Sequence, residues 1–203
     1  MNRASKLKHR IAKEAATLLY SGTEKEYRQA KLKAAKNLRL NLLPTNLEIA
    51  KALDKIAEAN EGATRKKRLI QMRKKALRIM KILETYSPLL VGSVWRGTIR
   101  QGSDIDIILY HDVPSAILEL LKKNGVKIFG SEWISVNKKG KTELSFHIYI
   151  ISEKQRVELV VRSSEEKRRK KKCEIFGDEI KGLNFKELKR LLEECPVQKF
   201  IPP

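Results

Sequence analysis

The stretch "VGSVWRGTIRQGSDIDIILY", residues 91–110, decides the reading of this chain. It places Asp104 and Asp106 one residue apart inside an apolar run. Carboxylates are costly in a buried strand unless something compensates them. Side chains alternate along a strand, so the two aspartates share one face while Ile105 and Ile107 share the other. Two carboxylates aimed at one spot repel, and one takes up a proton unless a cation sits between them. Mg²⁺ suits such a pair, being hard, oxygen-seeking and readily shared with substrate phosphates. Two solvated aspartates on a strand edge are the bland alternative. Gly92-Ser93 upstream favours the sharper reading. The glycine permits close backbone approach to a ligand. If "VWRG" opens a helical turn, the backbone N–H groups point at an anion.

Outward from this stretch, "RVELVV" (156–161) repeats the oddity: Glu158 is an acid in mid-strand, and the best third carboxylate. Glu143 and Glu153 lie nearer turns and are poorer choices. Arg96 and Arg100 flank the glycine and are suited to phosphate oxygens. Thr98 is a candidate for orienting the loop or the nucleotide.

The order apolar-Gly-Ser, a gap of about ten residues, then Asp-apolar-Asp-apolar resembles the signature of the DNA polymerase β-type nucleotidyltransferase superfamily. The run Gly-Ser-Val-x-Arg-Gly-Thr before Ser-Asp-Ile-Asp is most similar to the core of archaeal-type CCA-adding tRNA nucleotidyltransferases. The resemblance covers roughly residues 88–162. It implies that Asp104 and Asp106 bind two metal ions, with Glu158 as third ligand or base where aspartate is commoner. It implies that Gly92 and Ser93 hold the triphosphate of an NTP such as ATP. Nucleotidyl transfer fits these residues: a hydroxyl attacks an α-phosphate in line, and two Mg²⁺ ions activate it and neutralise the leaving pyrophosphate.

Charge indicates the partner. Among 203 residues, 44 Lys/Arg face 24 Asp/Glu, a net charge of +20 with a pI near 10.0. A thermophile's charge-rich surface would also be rich in acid, so nucleic acid is the leading partner class. Residues 1–86 hold 22 Lys/Arg against 8 Asp/Glu, and residues 87–203 hold 22 against 16, so the first part is the better grip on a phosphate backbone. The basic runs "TRKKR" (64–68) and "KRRKKK" (167–172) are solvated faces or acceptor contacts. Trp95 and Trp133 are expected in the core rather than stacked on a base.

Three segments are expected: a basic helical region over 1–86, a catalytic core over 87–165, and a basic connector with a C-terminal helix over 166–203. The first contains helices at 4–20, 23–40, 47–62 and 63–86, read from apolar spacing. Ser21-Gly22 stops the first. Thr23 with Glu26 looks like a capping box for the second. Thr45 or Asn46 caps the third. The core alternates short strands ("LLV", "DIDIILY", "VKIFGSEWISV", "ELSFHIYIIS", "RVELVVRS") with one helix, "SAILELLKKNG". "EKQ" (153–155) is expected to turn a hairpin. "EEKRRKKKCEIFGDEIKG" (165–182) is too charged for core, and Asn184 caps the last helix. The fold class is α+β: a small mixed sheet with flanking helices, preceded by an all-helical region.

Neither Cys173 and Cys195 nor His9, His111 and His147 have zinc-ligand spacing, so two free thiols are expected. No apolar run is long enough to span a membrane, and "MNRASKLKHR" lacks a signal core, so a cytoplasmic protein is expected. The sequence reading is thus a metal-dependent nucleotidyltransferase whose acceptor is a tRNA-like RNA. About 40 residues follow Glu158, against the large extra domains of CCA-adding enzymes, so full CCA addition is not expected. The runner-up is a minimal protein-adenylylating enzyme of the toxin–antitoxin type. A cationic small-molecule acceptor suits net +20 poorly. A non-catalytic RNA-binding module is the remaining alternative.

Overall fold

The computed structural model describes residues 3–138, 141–152 and 155–202. Two helices, α1 (Arg3–Tyr20) and α2 (Tyr27–Asn37), lead into a long third, α3 (Asn46–Ile82). Then come β1 (Leu89–Val91), the short helix α4 (Gly92–Arg96), β2 (Ile105–Tyr110), α5 (Pro114–Lys123), β3 (Ile128–Lys138), β4 (Lys141–Ser152), β5 (Gln155–Arg162) and α6 (Phe185–Glu194). This is the expected α+β architecture, a mixed sheet with helices and a helical region before it.

The helix α3 is broken at Gly62, where φ is 45° and ψ −126°. An L-residue strongly resists that backbone conformation, so the sequence turns there at glycine. The two expected helices meet at this break. Thr45 caps the first arm in a capping box with Glu48: Thr45 Oγ1 accepts from Glu48 N at 3.1 Å, and Glu48 Oε2 accepts from Thr45 N at 2.6 Å. Arg65, just past the break, is buried and ties the arms together. It pairs with Asp54 and with Glu58 (2.6 Å) of the first arm, and donates to the Ile99 carbonyl at 2.7 Å. Arg68 pairs with Glu61. The run 64–68 is therefore partly structural, leaving Lys66 and Lys67 as its exposed cations.

Two apolar clusters result. Ile11, Ala12, Ala15, Ala16 and Leu19 of α1 pack on Ala30, Ala34 and Ala35 of α2 and on Ile49 of α3. The alanines let these helices approach closely. The second arm of α3 supplies Leu69, Met72, Ala76, Ile79 and Met80 to the larger cluster, beneath the sheet. The expected cap at Thr23 is not formed. Thr23 Oγ1 bonds Ser21 Oγ at 2.8 Å, and α2 begins at Tyr27 behind Glu26, which makes no side-chain cap bond. Glu24 instead pairs with Lys33 at 2.7 Å.

The sheet order is β1-β2-β5-β4-β3. β2 and β5 run parallel in the centre, and the remaining neighbours are antiparallel. Ile105, Ile107, Leu109, Val157, Leu159, Val161, Ile148 and Ile150 are buried on one face, together with Ile117 and Leu121 of α5. Each such side chain contributes about 1.5–3 kcal/mol by leaving water. The antiparallel β4–β5 pair is the expected hairpin, with Ser152 opposite Gln155; Glu153 and Lys154, expected to turn it, lie outside the described residues.

The segment 165–182, expected to be too charged for core, nevertheless packs against the fold, with Ile180 against the apolar cluster. Glu166 is buried and accepts from Lys171 Nζ at 2.6 Å, and Leu183 exchanges backbone hydrogen bonds with Leu90. A charged segment packs here because its ions are paired. Asn184 caps α6 in a capping box with Glu187. Trp95 is buried as expected and stacks on Phe200. Trp133 is not: it lies 56% exposed on β3, against Phe146. β3 is an edge strand of the sheet. Cys173 and Cys195 are free thiols. Among the described residues no helix is long and apolar enough to cross a membrane.

Candidate active site

Asp106 and Glu158 lie on the sheet face opposite the isoleucine core. β2 and β5 are parallel with Asp106 opposite Glu158, so their carboxylates share a face on neighbouring strands. Asp104, two residues before Asp106, lies just ahead of β2, close enough for its charge to act on Asp106. Arg156 stands in the equivalent place on β5, and its Nε donates to Asp104 Oδ1 at 2.8 Å. Glu158 Oε1 lies 2.6 Å from His147 Nδ1, and His147 Nε2 lies 2.9 Å from Ser145 Oγ.

Asp106 differs from its neighbours. It has no hydrogen-bond or ion-pair partner among the described residues. Its pKa rises to about 7, through burial first and then through Glu158 and Asp104. Gly92 explains how it fits. β1 pairs with β2 so that Val91 stands opposite Asp106, and the chain turns into α4 at the next residue. A Cβ on Gly92 would overlap the Asp106 carboxylate, and Gly92 has φ +68°. Glycine is required there twice, for the turn and for the close approach.

Ser93 follows in the first turn of α4, and its carbonyl accepts from Gly97 N and, at 3.0 Å, from Thr98 N. Beside it is a small cavity of about 160 Å³ lined by Gly92, Ser93, Thr98, Arg100 and Ser103, with Tyr27 entering from α2. Ser103 Oγ accepts from Arg100 N at 2.9 Å. The Arg100 guanidinium forms no ion pair among the described residues. Burial, first among its causes, pushes the Tyr27 phenol up to about 12, so it remains a hydroxyl donor across the neutral range.

The Arg96 guanidinium grips Asp178 through both Nη atoms, at 3.1 and 2.6 Å, and donates to the Phe200 carbonyl at 3.0 Å. It is sandwiched by the Trp95 and Phe176 rings. It is 3% exposed and lines the same cavity as Gly92 and Ser93, with its charge held by Asp178. Arg73, from α3, is structural. Its guanidinium binds the carbonyls of Val94 and Trp95 in α4 and of Pro196 and Gln198 in the C-terminal segment, at 2.8–3.1 Å.

The donor chemistry fits a divalent metal: an unpartnered, half-buried carboxylate shares its sheet face with Glu158 and has Asp104 close by. Among the described residues no three metal-ligating side chains are already drawn together around one point. Arg156 holds Asp104 and His147 holds Glu158. Arg156, His147 and Tyr27 escaped the sequence reading. Only the cross-strand register brings the first two to the acids. Tyr27 arrives from another element altogether, and no spacing announces it.

Residues 69–181 match the family model of the nucleotidyltransferase domain. That span is more than half of the chain, and the protein belongs to this family. The family's activity in general is transfer of a nucleoside monophosphate. No curated protein matches the chain closely enough to carry a comparison.

Proposed function

We propose that this protein transfers a nucleoside monophosphate from an NTP to a hydroxyl of RNA, in a Mg²⁺-dependent reaction, with a tRNA-like 3′ end as the favoured acceptor. The observation that carries this reading is Asp106 in register with Glu158, its carboxylate filling the space that Gly92 leaves free. Asp104, Asp106 and Glu158 would hold the metal. When bound, Mg²⁺ supplies neutralisation of phosphate charge and a lowered pKa for the attacking hydroxyl. The backbone around Gly92 and Ser93 accepts the triphosphate, and Arg100 supplies a cation beside it. Arg156 and His147 keep Asp104 and Glu158 oriented until the metal arrives. Arg96 and Arg73 hold α4 still, so that Gly92 and Ser93 stay aimed at the substrate. The domain limits of the sequence reading, 1–86, 87–165 and 166–203, are proposed with one change of emphasis: the second arm of α3 belongs to the core of the catalytic unit.

The test incubates the purified protein with Mg²⁺ and each labelled NTP, offering total RNA or total protein. Label entering RNA and vanishing in Asp104→Ala is the expected result. Label entering protein would replace the RNA reading with protein adenylylation. RNA binding without consumption of any NTP would leave a non-catalytic binding module.

A further inference from the structure

A second cavity lies on the same sheet face as the acids. It is a cleft of about 700 Å³ whose floor includes Ile108 and Tyr110 of β2, and Phe185 at the start of α6. Ile108 is two residues past Asp106, so the floor begins about 7 Å along the strand from that carboxylate. The walls are cationic: Arg162, Lys167, Arg169, Lys170, Lys181 and Lys186 line it. Its two acids are already occupied, Glu84 by Lys81 at 2.7 Å and Glu179 by Lys170 at 3.5 Å. Lys167, Arg169, Lys181 and Lys186 form no ion pair among the described residues. Like charges gathered in a concave site repel one another, so the cleft favours a polyanion.

Arg162 adds an independent observation. Its Nε and Nη1 are buried without a hydrogen-bond partner, and Glu166 comes no closer to Nη1 than 3.8 Å. Buried guanidinium donors are ordinarily satisfied, and these lack only an acceptor. The floor is aromatic and aliphatic, which a nucleobase can stack upon. Phosphates at the rim and a base on the floor together describe a single-stranded nucleic-acid end.

We propose that this cleft, formed by the C-terminal ends of β2 and β5 and by residues 167–186, holds the single-stranded end of the acceptor RNA. A strand seated there runs along the sheet face toward Asp106. The acceptor and the NTP then approach the carboxylates from different sides, the NTP from Gly92 and Ser93. The acceptor role rests on the transfer reading above; RNA binding in the cleft does not.

The test is anisotropy of a short labelled single-stranded RNA bound to the full chain across a salt series. The variant is Lys181→Glu with Lys186→Glu, both exposed and outside the carboxylate cluster. Mg·ATP binding is measured alongside, and circular dichroism checks folding. Affinity for RNA is expected to fall tenfold or more, and the slope of log affinity against log salt to become shallower by about 1.4, at ~0.7 per phosphate contact. Mg·ATP binding is expected to stay unchanged. Unaltered RNA affinity would overturn the proposal, as would an equal loss of RNA and ATP binding, which would make the cleft a triphosphate site. Absence of NTP consumption by the wild-type protein would instead sink the transfer reading alone.

Discussion

Replacing Asp106 with asparagine is expected to stabilise the metal-free protein, and increasingly so as pH rises. The carboxyl's pKa goes from 3.8 to about 7 on folding. The folded state therefore holds its proton over a range in which the unfolded chain has released it. Below pH 3.8 both states are protonated and the site imposes no penalty. Between there and about pH 7 the folded state loses stability, since unfolding releases a proton. At ~1.36 kcal/mol per pKa unit the penalty is about 1.7 kcal/mol at pH 5 and about 4 kcal/mol at pH 8. Asparagine has a similar shape and no charge, so it escapes this loss. The wild-type and variant stabilities should diverge by about 2–3 kcal/mol between pH 5 and 8. Urea denaturation in EDTA at several pH values measures this directly. Mg²⁺ should then stabilise the wild type more at pH 8 than at pH 5, and the variant little at either. A pH-independent difference, or an asparagine variant less stable at pH 8, would refute the reasoning.

The same geometry governs two other substitutions. Gly92→Ala places a methyl group against the Asp106 carboxylate and forces alanine to positive φ, so NTP use should fall by about a hundredfold, as expected of a displacement on the order of 1 Å. Incorporation within about twofold of wild type would show that the close approach is dispensable. Arg73→Met removes a buried guanidinium from four carbonyls and should cost about 3–5 kcal/mol. Calorimetry should show a fall in Tm on the order of 10 °C, and an unchanged Tm would mean that the carbonyls find other donors.

Much of the site is visible in short stretches of sequence. A strand's period of two puts Asp104 and Asp106 together whatever the rest of the chain does. Gly92 next to Ser93 announces a turn because few other residues tolerate it. Where the sequence misleads, the cause is a partner that spacing does not reveal. Arg96 reads as a free cation, but Asp178, 82 residues on, holds its guanidinium. Thr23 and Glu26 have capping-box spacing, but Glu24 is tied to Lys33 and the helix starts later. The run 165–182 looks too charged to pack until Lys171 meets Glu166 and Arg96 meets Asp178.

The alternating strands, the helical first part, the acids on one face and the basic surface were all legible from the amino-acid order. Each is local, written in periodicity, composition or a neighbour a few residues away. Folding in three dimensions settled the rest: which cations remain free, that Glu158 stands in register with Asp106, that Tyr27 lines the cavity beside Ser93, and that residues 167–186 form one wall of a cleft. Those outcomes depend on strand pairing and ion pairing between distant segments. Electrostatic pairing and burial depend on distance in space, and the linear order of residues does not carry that distance.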